Sequence, residues 1–292
     1  MTTGPTPVPG PGQVRVKVRA IGVNPVDHKI YSGGPAADPS RLPLRLGSEA
    51  SGVVDAVGDG VTTVAVGDEV IAYRAPGAYT TDLVVAESVL TPKPAELGWV
   101  EAAGLMLTGA TAWHALVASG AQAGETVLVH GGAGGVGQMV LQSARLWGIG
   151  VVATAGPANH DLLREFGATP ISYGEGLLER ARDAAPGGYA AALDLVGTDE
   201  TIDTSLALVT ADRVVSIAGF ARAGDGITLI GGGPGADPGT ELRNAARAEL
   251  AALAGRGKLV VTIDCTYPLA EAGAAHDYLR AGHAHGKVIL LP

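Results

Sequence analysis

Three glycines carry the clearest chemistry in the sequence. Gly132, Gly134 and Gly137 in "VHGGAGGVGQ" have the G-x-G-x-x-G spacing. In a 292-residue chain with 44 glycines that spacing means little alone. Here it lies between "ETVLVHGG", which reads as a strand, and "GVGQMVLQSARLWG", which reads as a helix, and this is the setting the motif requires. In that setting Gly132 allows a tight turn, Gly134 lets the backbone approach a pyrophosphate, and Gly137 lets helix and strand pack closely. The helix start at Gly135 and Val136 offers free N–H groups and a partial positive charge to phosphates. An ordinary glycine-rich turn is the plain alternative. A dinucleotide-binding protein specific for NADH places an acidic residue about 20 positions beyond the loop, on the adenosine ribose. Gly156 of "VVATAGPANH" stands there, with no acid before Asp161. A small neutral residue permits a 2′-phosphate without enforcing it.

The segments around the loop alternate. "GVVATA", "TPISY", "AALDLV", "DRVVSIAG" and "GITLIGG" read as strands; "HDLLREFG", "GEGLLERARDAA" and "DETIDTSLALV" read as helices. This rhythm predicts parallel βαβ units in a doubly wound sheet. In the helix after the loop, Val136, Val140, Ala144 and Trp147 share a face and Gly148 ends it. Upstream, from Gln13 to about Ala86, "QVRVKVRAIGV" alternates valines with basic residues, and "SGVVDAVG" and "GDEVIAY" are short strands between Gly and Asp turns. That predicts a small barrel-like β domain. From about Gly255, "KLVVTID", helix "LAEAGAAHDYLRAG" and strand "KVILLP" would complete its sheet. The expected fold class is α/β, with a β-rich domain over 1–98 and 255–292 and an inserted doubly wound parallel-sheet domain over 99–254.

Composition narrows the partners. A hydrophobic fraction of 47% with 17% charged residues suits a globular protein, and a net charge of −9 without a basic cluster argues against nucleic acid and against an anionic membrane surface. Cys265 is the single cysteine, so neither an intrachain disulfide nor a cysteine-based zinc site is expected. "MTTGPTPVPGPGQ" lacks the cationic start and apolar core of a signal peptide, and a cytoplasmic location is the expectation. His283 and His285 invite a metal reading, but no carboxylate or cysteine pattern accompanies them. His130 reads as a structural strand-end residue.

Six motifs in order, "VNPVDHKIYSGG", "LGSEASGVVDAVGDGVTTVAVGDEV", "LTGATAW", "AGETVLVHGGAGGVG", "LREFGA" and "HGKVIL", span nearly the whole chain. Together they resemble the zinc-free medium-chain dehydrogenases/reductases, in the quinone oxidoreductase (zeta-crystallin-like) branch that also holds enoyl reductases. The resemblance implies a GroES-like catalytic domain, an inserted Rossmann NADP-binding domain and a cleft holding NADPH. It also implies a homodimer formed through the Rossmann sheet edge, where "GITLIGG" would serve. The implied reaction is hydride transfer to a quinone, or to the C=C of an enone as in a natural-product tailoring reductase. Zinc-dependent relatives have a cysteine where this chain has Asn24, so hydrogen-bond donors must polarise the carbonyl. A non-redox protein on the same fold, sensing a nucleotide or catalysing a cyclisation, is the alternative.

The resemblance also implies roles. Asn24 should lie near the nicotinamide ribose and the reacting carbonyl, or is simply a turn residue before Pro25. Thr108 matches a nicotinamide contact, or caps a helix. Val196 and Gly197 beyond Asp194, and Ile217, Ala218 and Gly219, correspond to strand ends bordering the nicotinamide, or to plain turns. Lys287 matches a cofactor-cleft position, or is an exposed lysine. NADPH-using relatives place a basic residue soon after the Gly156 position and a tyrosine after the next strand. His160 and Tyr173 fit, with Asn159 as a polar neighbour or a helix cap, and NADPH is the expected cofactor. Two departures stand out. The Arg-x-Gly-x-Tyr pattern after "NPVD" is absent: Tyr31 takes roughly the Arg place, as a hydrogen-bond donor or a loop aromatic, and Gly34 or Pro35 falls at the Tyr place. A β-hairpin usual ahead of "PVPGPGQV" is also absent, which would expose a sheet edge or a wall of the site.

Overall fold

The alternating valines form β1 (Gln13–Val23), with Val14, Val16 and Val18 buried, in a computed structural model that describes residues 4–32, 40, 44–282 and 284–292. Then follow α1 (Pro25–Lys29), β2 (Glu49–Val57), β3 (Glu69–Tyr73), β4 (Asp82–Ala86), β5 (Leu90–Pro92) and α2 (Trp99–Ser119). The alternating middle comprises β6 (Thr126–His130), α3 (Gly135–Leu146), β7 (Gly150–Thr154), α4 (His160–Glu165) and β8 (Thr169–Ile171). It continues with α5 (Leu177–Ala184), β9 (Ala191–Asp194), α6 (Asp199–Leu206), β10 (Val214–Ser216) and β11 (Thr228–Leu229). Last come α7 (Thr240–Gly255), β12 (Ile263–Pro268), α8 (Ala272–Arg280) and β13 (Lys287–Leu291). The chain divides into two units, Met1–Leu107 with Arg247–Pro292, and Thr108–Ala246.

In the first unit seven strands form one sheet, ordered β12-β13-β1-β2-β3-β5, with β4 also on β1. One edge of β1 runs along β2; the other is shared by β4 at Gln13–Lys17 and β13 at Ile21–Val23. Among the described residues β1 is thus paired on both edges. Its inward valines pack with Val54, Val70, Leu83 and Leu290 into the unit's core. The strand expected in "KLVVTID" starts only at Ile263: Leu259 and Val261 are buried, but the ladder with β13 opens where Ile263 meets Lys287. Helices α2 and α7 had no counterpart in the expected elements.

The second unit is a six-stranded sheet, β11-β10-β9-β6-β7-β8, with every pairing parallel. Strand order reverses between β6 and β9, and in such sheets ligands bind outside the carboxyl ends of the strands at that point. β11 is an outermost strand, as the dimer expectation requires of it. Gly148, in the left-handed region at φ 71°, follows α3 and stops it. Among the described residues, no helix is long and apolar enough to cross a membrane.

Candidate active site

At the carboxyl end of β6 the loop glycines divide the work differently from expectation. The left-handed residue of the turn is Gly131, at φ 82°, and not Gly132. Gly132 serves packing: a Cβ there would come within 2.8 Å of the Ala153 Cβ. A Cβ on Gly137 would lie 2.3 Å from the Gly131 carbonyl oxygen, so this glycine is what lets α3 press against the turn. Gly134 is different. It caps α3 with ordinary backbone angles (φ −72°, ψ 166°), and a Cβ would meet nothing nearer than 3.6 Å. The fold does not require glycine at this position; a ligand approaching the backbone would. Gly135 and Val136 form the first turn of α3, where amide groups have no intrahelical partner.

Two further turns meet the loop. Asp194, fully buried at the end of β9, accepts the Val196 and Gly197 amides (3.2 and 3.0 Å) and the Ser216 hydroxyl (2.5 Å). Ser216 in turn accepts the amides of Ala218 (3.2 Å) and Gly219 (2.8 Å). Gly197, at φ 82°, rests on Ala218, and the Val196 side chain reaches Gly131. The glycine loop, Val196–Gly197 and Ile217–Gly219 are therefore one cluster at the carboxyl edge of the sheet. His130 is buried beside it with neither ring nitrogen hydrogen-bonded; desolvation, partly offset by the charge of Asp194, pushes it down to about 4 and keeps it neutral.

Of the groups expected around an adenosine 2′-phosphate, Tyr173 comes close to Gly156. The Tyr173 hydroxyl is the nearest group to the open side of Gly156, 3.7 Å from where a Cβ would stand. Asn159 makes no capping hydrogen bond to α4. His160 Nε2 lies 3.3 Å from the Ala155 carbonyl, so that nitrogen carries the proton. Arg180, which the sequence reading passed over, donates to the carbonyls of Ser172, Tyr173, Gly174 and Glu175 (2.7–3.3 Å), pinning the loop that carries Tyr173. Its signal was an arginine in the first turn of an amphipathic helix, which is a weak one. Thr108 is buried in the middle of α2 and so does not cap it.

The first unit holds a buried polar cluster. Asn24 sits at the start of α1, before Pro25. Its side-chain oxygen accepts from Lys287 Nζ (2.6 Å), and its amide nitrogen donates to Glu49 Oε1 (2.9 Å). Lys287 is 4% exposed, and it also donates to Glu49 Oε1 (2.9 Å) and the Val23 carbonyl (3.1 Å). All three ammonium donors are taken within the unit, so Lys287 is not the exposed lysine that was the plain alternative. Glu49 is fully buried and accepts the Leu107 amide on its other oxygen (2.8 Å). Gly22 makes the room: a Cβ there would lie 2.4 Å from Glu49 Oε1. The sequence reading missed Glu49; an acid among small residues in a strand was the available sign.

Beyond Asn24 the cluster continues. Asp27 Oδ2 accepts the Asn24 backbone N–H (2.8 Å) and the Tyr79 hydroxyl (3.2 Å). Tyr79 also meets His276 Nε2 (2.9 Å), and His276 Nδ1 meets the Tyr31 hydroxyl (2.7 Å). Burial raises Asp27 to about 6, against the pull of the Asn24 amide and Lys287. Tyr31, expected as a donor or a loop aromatic, has its hydroxyl hydrogen-bonded to His276 and is 40% exposed as a residue. Gly34, Pro35 and His283 lie outside the described residues. Among the described residues no group of three His, Cys, Asp or Glu side chains could hold a metal ion.

Comparison with known proteins bears on this arrangement. Residues 10–118 match the alcohol dehydrogenase GroES-like domain family, and residues 166–290 match the zinc-binding dehydrogenase family. The chain is 35% identical over 305 aligned positions to a quinone oxidoreductase of Pseudomonas aeruginosa, covering 97% of this chain and 92% of that protein. Over 297 positions it is 36% identical to 7% of the mycoketide-CoA synthase of Mycobacterium tuberculosis, with 97% of this chain covered. The solved structure of Escherichia coli quinone oxidoreductase complexed with NADPH superimposes with a TM-score of 0.86 at 28% identity, covering 100% of this chain and 95% of that one. The GroES-like β unit, the Rossmann-type sheet and these relatives agree: the chain belongs to the quinone oxidoreductase branch of the medium-chain dehydrogenase/reductase superfamily.

Proposed function

We propose that the protein is an NADPH-dependent, metal-free oxidoreductase acting on a quinone or on the C=C of an α,β-unsaturated carbonyl. The observation that carries this reading is Gly134, a glycine the fold does not need, at the helix start where a pyrophosphate would approach the backbone. NADPH, when bound, supplies the hydride. The chain's own residues supply the rest. Gly134, Gly135 and Val136 hold phosphate, and Val196, Gly197 and Ile217–Gly219 border the nicotinamide. Gly156 leaves space for a 2′-phosphate that Tyr173, Asn159 and His160 receive. Asn24, fixed by Lys287 and Glu49, orients the reacting carbonyl side, and the Tyr31 hydroxyl stabilises the developing oxyanion. Support for NADPH comes from the cofactor in the Escherichia coli relative's structure. Support for a quinone as substrate comes from the relative named as a quinone oxidoreductase.

The test is a fluorescence titration with NADPH and NADH, on the wild type and on Gly134→Ala, followed by NADPH oxidation assays with a quinone and an enone. We expect NADPH to bind at least tenfold tighter than NADH. Gly134→Ala should lose about tenfold or more in NADPH affinity, about 1.4 kcal/mol or more, with an unchanged melting temperature. Absence of binding of either nucleotide by the wild type would overturn the reading and leave a non-redox use of the fold.

A further inference from the structure

Tyr31, His276, Tyr79 and Asp27 are joined end to end by hydrogen bonds of 2.7, 2.9 and 3.2 Å. A neutral imidazole has one donor and one acceptor, and each hydroxyl has one proton to donate, so the whole row can point in only two directions. With Asp27 ionised, Tyr79 donates to the carboxylate, His276 Nε2–H donates to Tyr79, and Nδ1 accepts from Tyr31. With Asp27 protonated, every bond reverses: Asp27 donates to Tyr79, Tyr79 to Nε2, Nδ1–H to Tyr31, and the Tyr31 proton faces outward. His276 is 1% exposed, and desolvation with nearby His28 and Arg280, against the pull of Asp277, lowers its titration from the ordinary value, the direction this scheme needs. The charged or titratable groups facing the row are His28 and Lys29 on α1, Asp277 and Arg280 on α8, Glu49 on β2 and Lys287 on β13.

We propose that this row is a proton relay, in which Asp27 stores a proton and Tyr31 delivers one to the oxyanion that hydride addition leaves on the substrate. The inference rests on the reductase reading above. Reduction consumes one hydride and one proton; the hydride is the cofactor's and the proton is the relay's. On delivery the Tyr31 O–H bond breaks and its proton bonds to the substrate oxygen. Tyr31 regains a proton from Nδ1, Nε2 takes one from Tyr79, and Tyr79 takes one from Asp27, which becomes a carboxylate. Water then reloads the row through Tyr31. Tyr31 is the catalytic residue; His276 and Tyr79 act through it.

Two measurements test the relay. The first needs no substrate: nitrogen-15 NMR of His276 should show Nε2 protonated at pH 8 and Nδ1 protonated at pH 5, changing over near the titration of Asp27 at about pH 6. A fixed tautomer across that range overturns the proposal. The second compares His276→Gln, Tyr79→Phe and the exposed Tyr31→Phe with the wild type in NADPH oxidation. We expect each to lose about tenfold in kcat with little change in KM, and to lose the wild type's decline in rate above pH 6, an effect below the full range of general acid catalysis. Folded variants with wild-type rate and pH profile remove the relay alone. A wild type that oxidises NADPH with neither a quinone nor an enone removes the reductase reading with it.

Discussion

Asp27 shows how one buried carboxyl can carry both a cost and a use. Its titration near 6, against an ordinary 3.8, means that between these values the folded chain keeps a proton the unfolded chain releases. Its contribution to stability is therefore complete below pH 3.8 and lost as pH rises through 6. Above that, burying the carboxylate costs on the order of 3 kcal/mol. Asp27→Asn is nearly isosteric and can still accept the Asn24 amide. It should raise the melting temperature by a few degrees at pH 7.5 and leave it unchanged at pH 4, which calorimetry at the two pH values would check. A variant less stable at pH 7.5 than the wild type would show that the carboxylate charge is needed by Lys287 more than burial opposes it. His130 has the opposite sign: held neutral with its titration near 4, it favours the folded state above pH 6.5 and penalises it as pH falls.

At the scale of elements, the loop between β8 and α5 is built to be stiff. Arg180 ties four consecutive carbonyls of that loop from inside α5, and Tyr173 is presented by it at 61% exposure. Arg180→Met keeps the side chain's apolar stem and removes the ties. It should weaken NADPH binding by about tenfold, about 1.4 kcal/mol, and NADH binding little, as parallel fluorescence titrations would show. Equal loss for both nucleotides would mean that the loop serves the common part of the cofactor. Strongly patterned elements were legible from the sequence: β1 from its alternating valines, and the βα series from β6 to β10. Helix α7 was not, because its buried stripe is Ala246, Leu250, Ala251 and Ala254, and alanines give little contrast with the exposed face. The glycine loop was legible because spacing and context both specify it. The cluster of Glu49, Lys287, Asp27, Tyr79 and His276 was not, because its members come from five separate segments and meet only through the sheet.

At the scale of the whole molecule, the second unit is one continuous stretch, Thr108–Ala246, whereas the first joins the two outer stretches, with Ile21 paired to Leu290. Contacts between such distant residues form late, because loop closure must precede their reward. In refolding followed by pulse-labelled hydrogen exchange, amides of β6, β7 and β9 should gain protection before those of β13 and its β1 partners. Simultaneous protection would argue for a single cooperative step. The same pairing has a consequence for synthesis on the ribosome. The ammonium that neutralises Glu49 belongs to β13, 238 residues further along, so a nascent chain exposes the acid long before its counter-charge is made. A truncated product ending before Lys287 would keep that charge unpaired, a defect of about 3–5 kcal/mol for a buried pair.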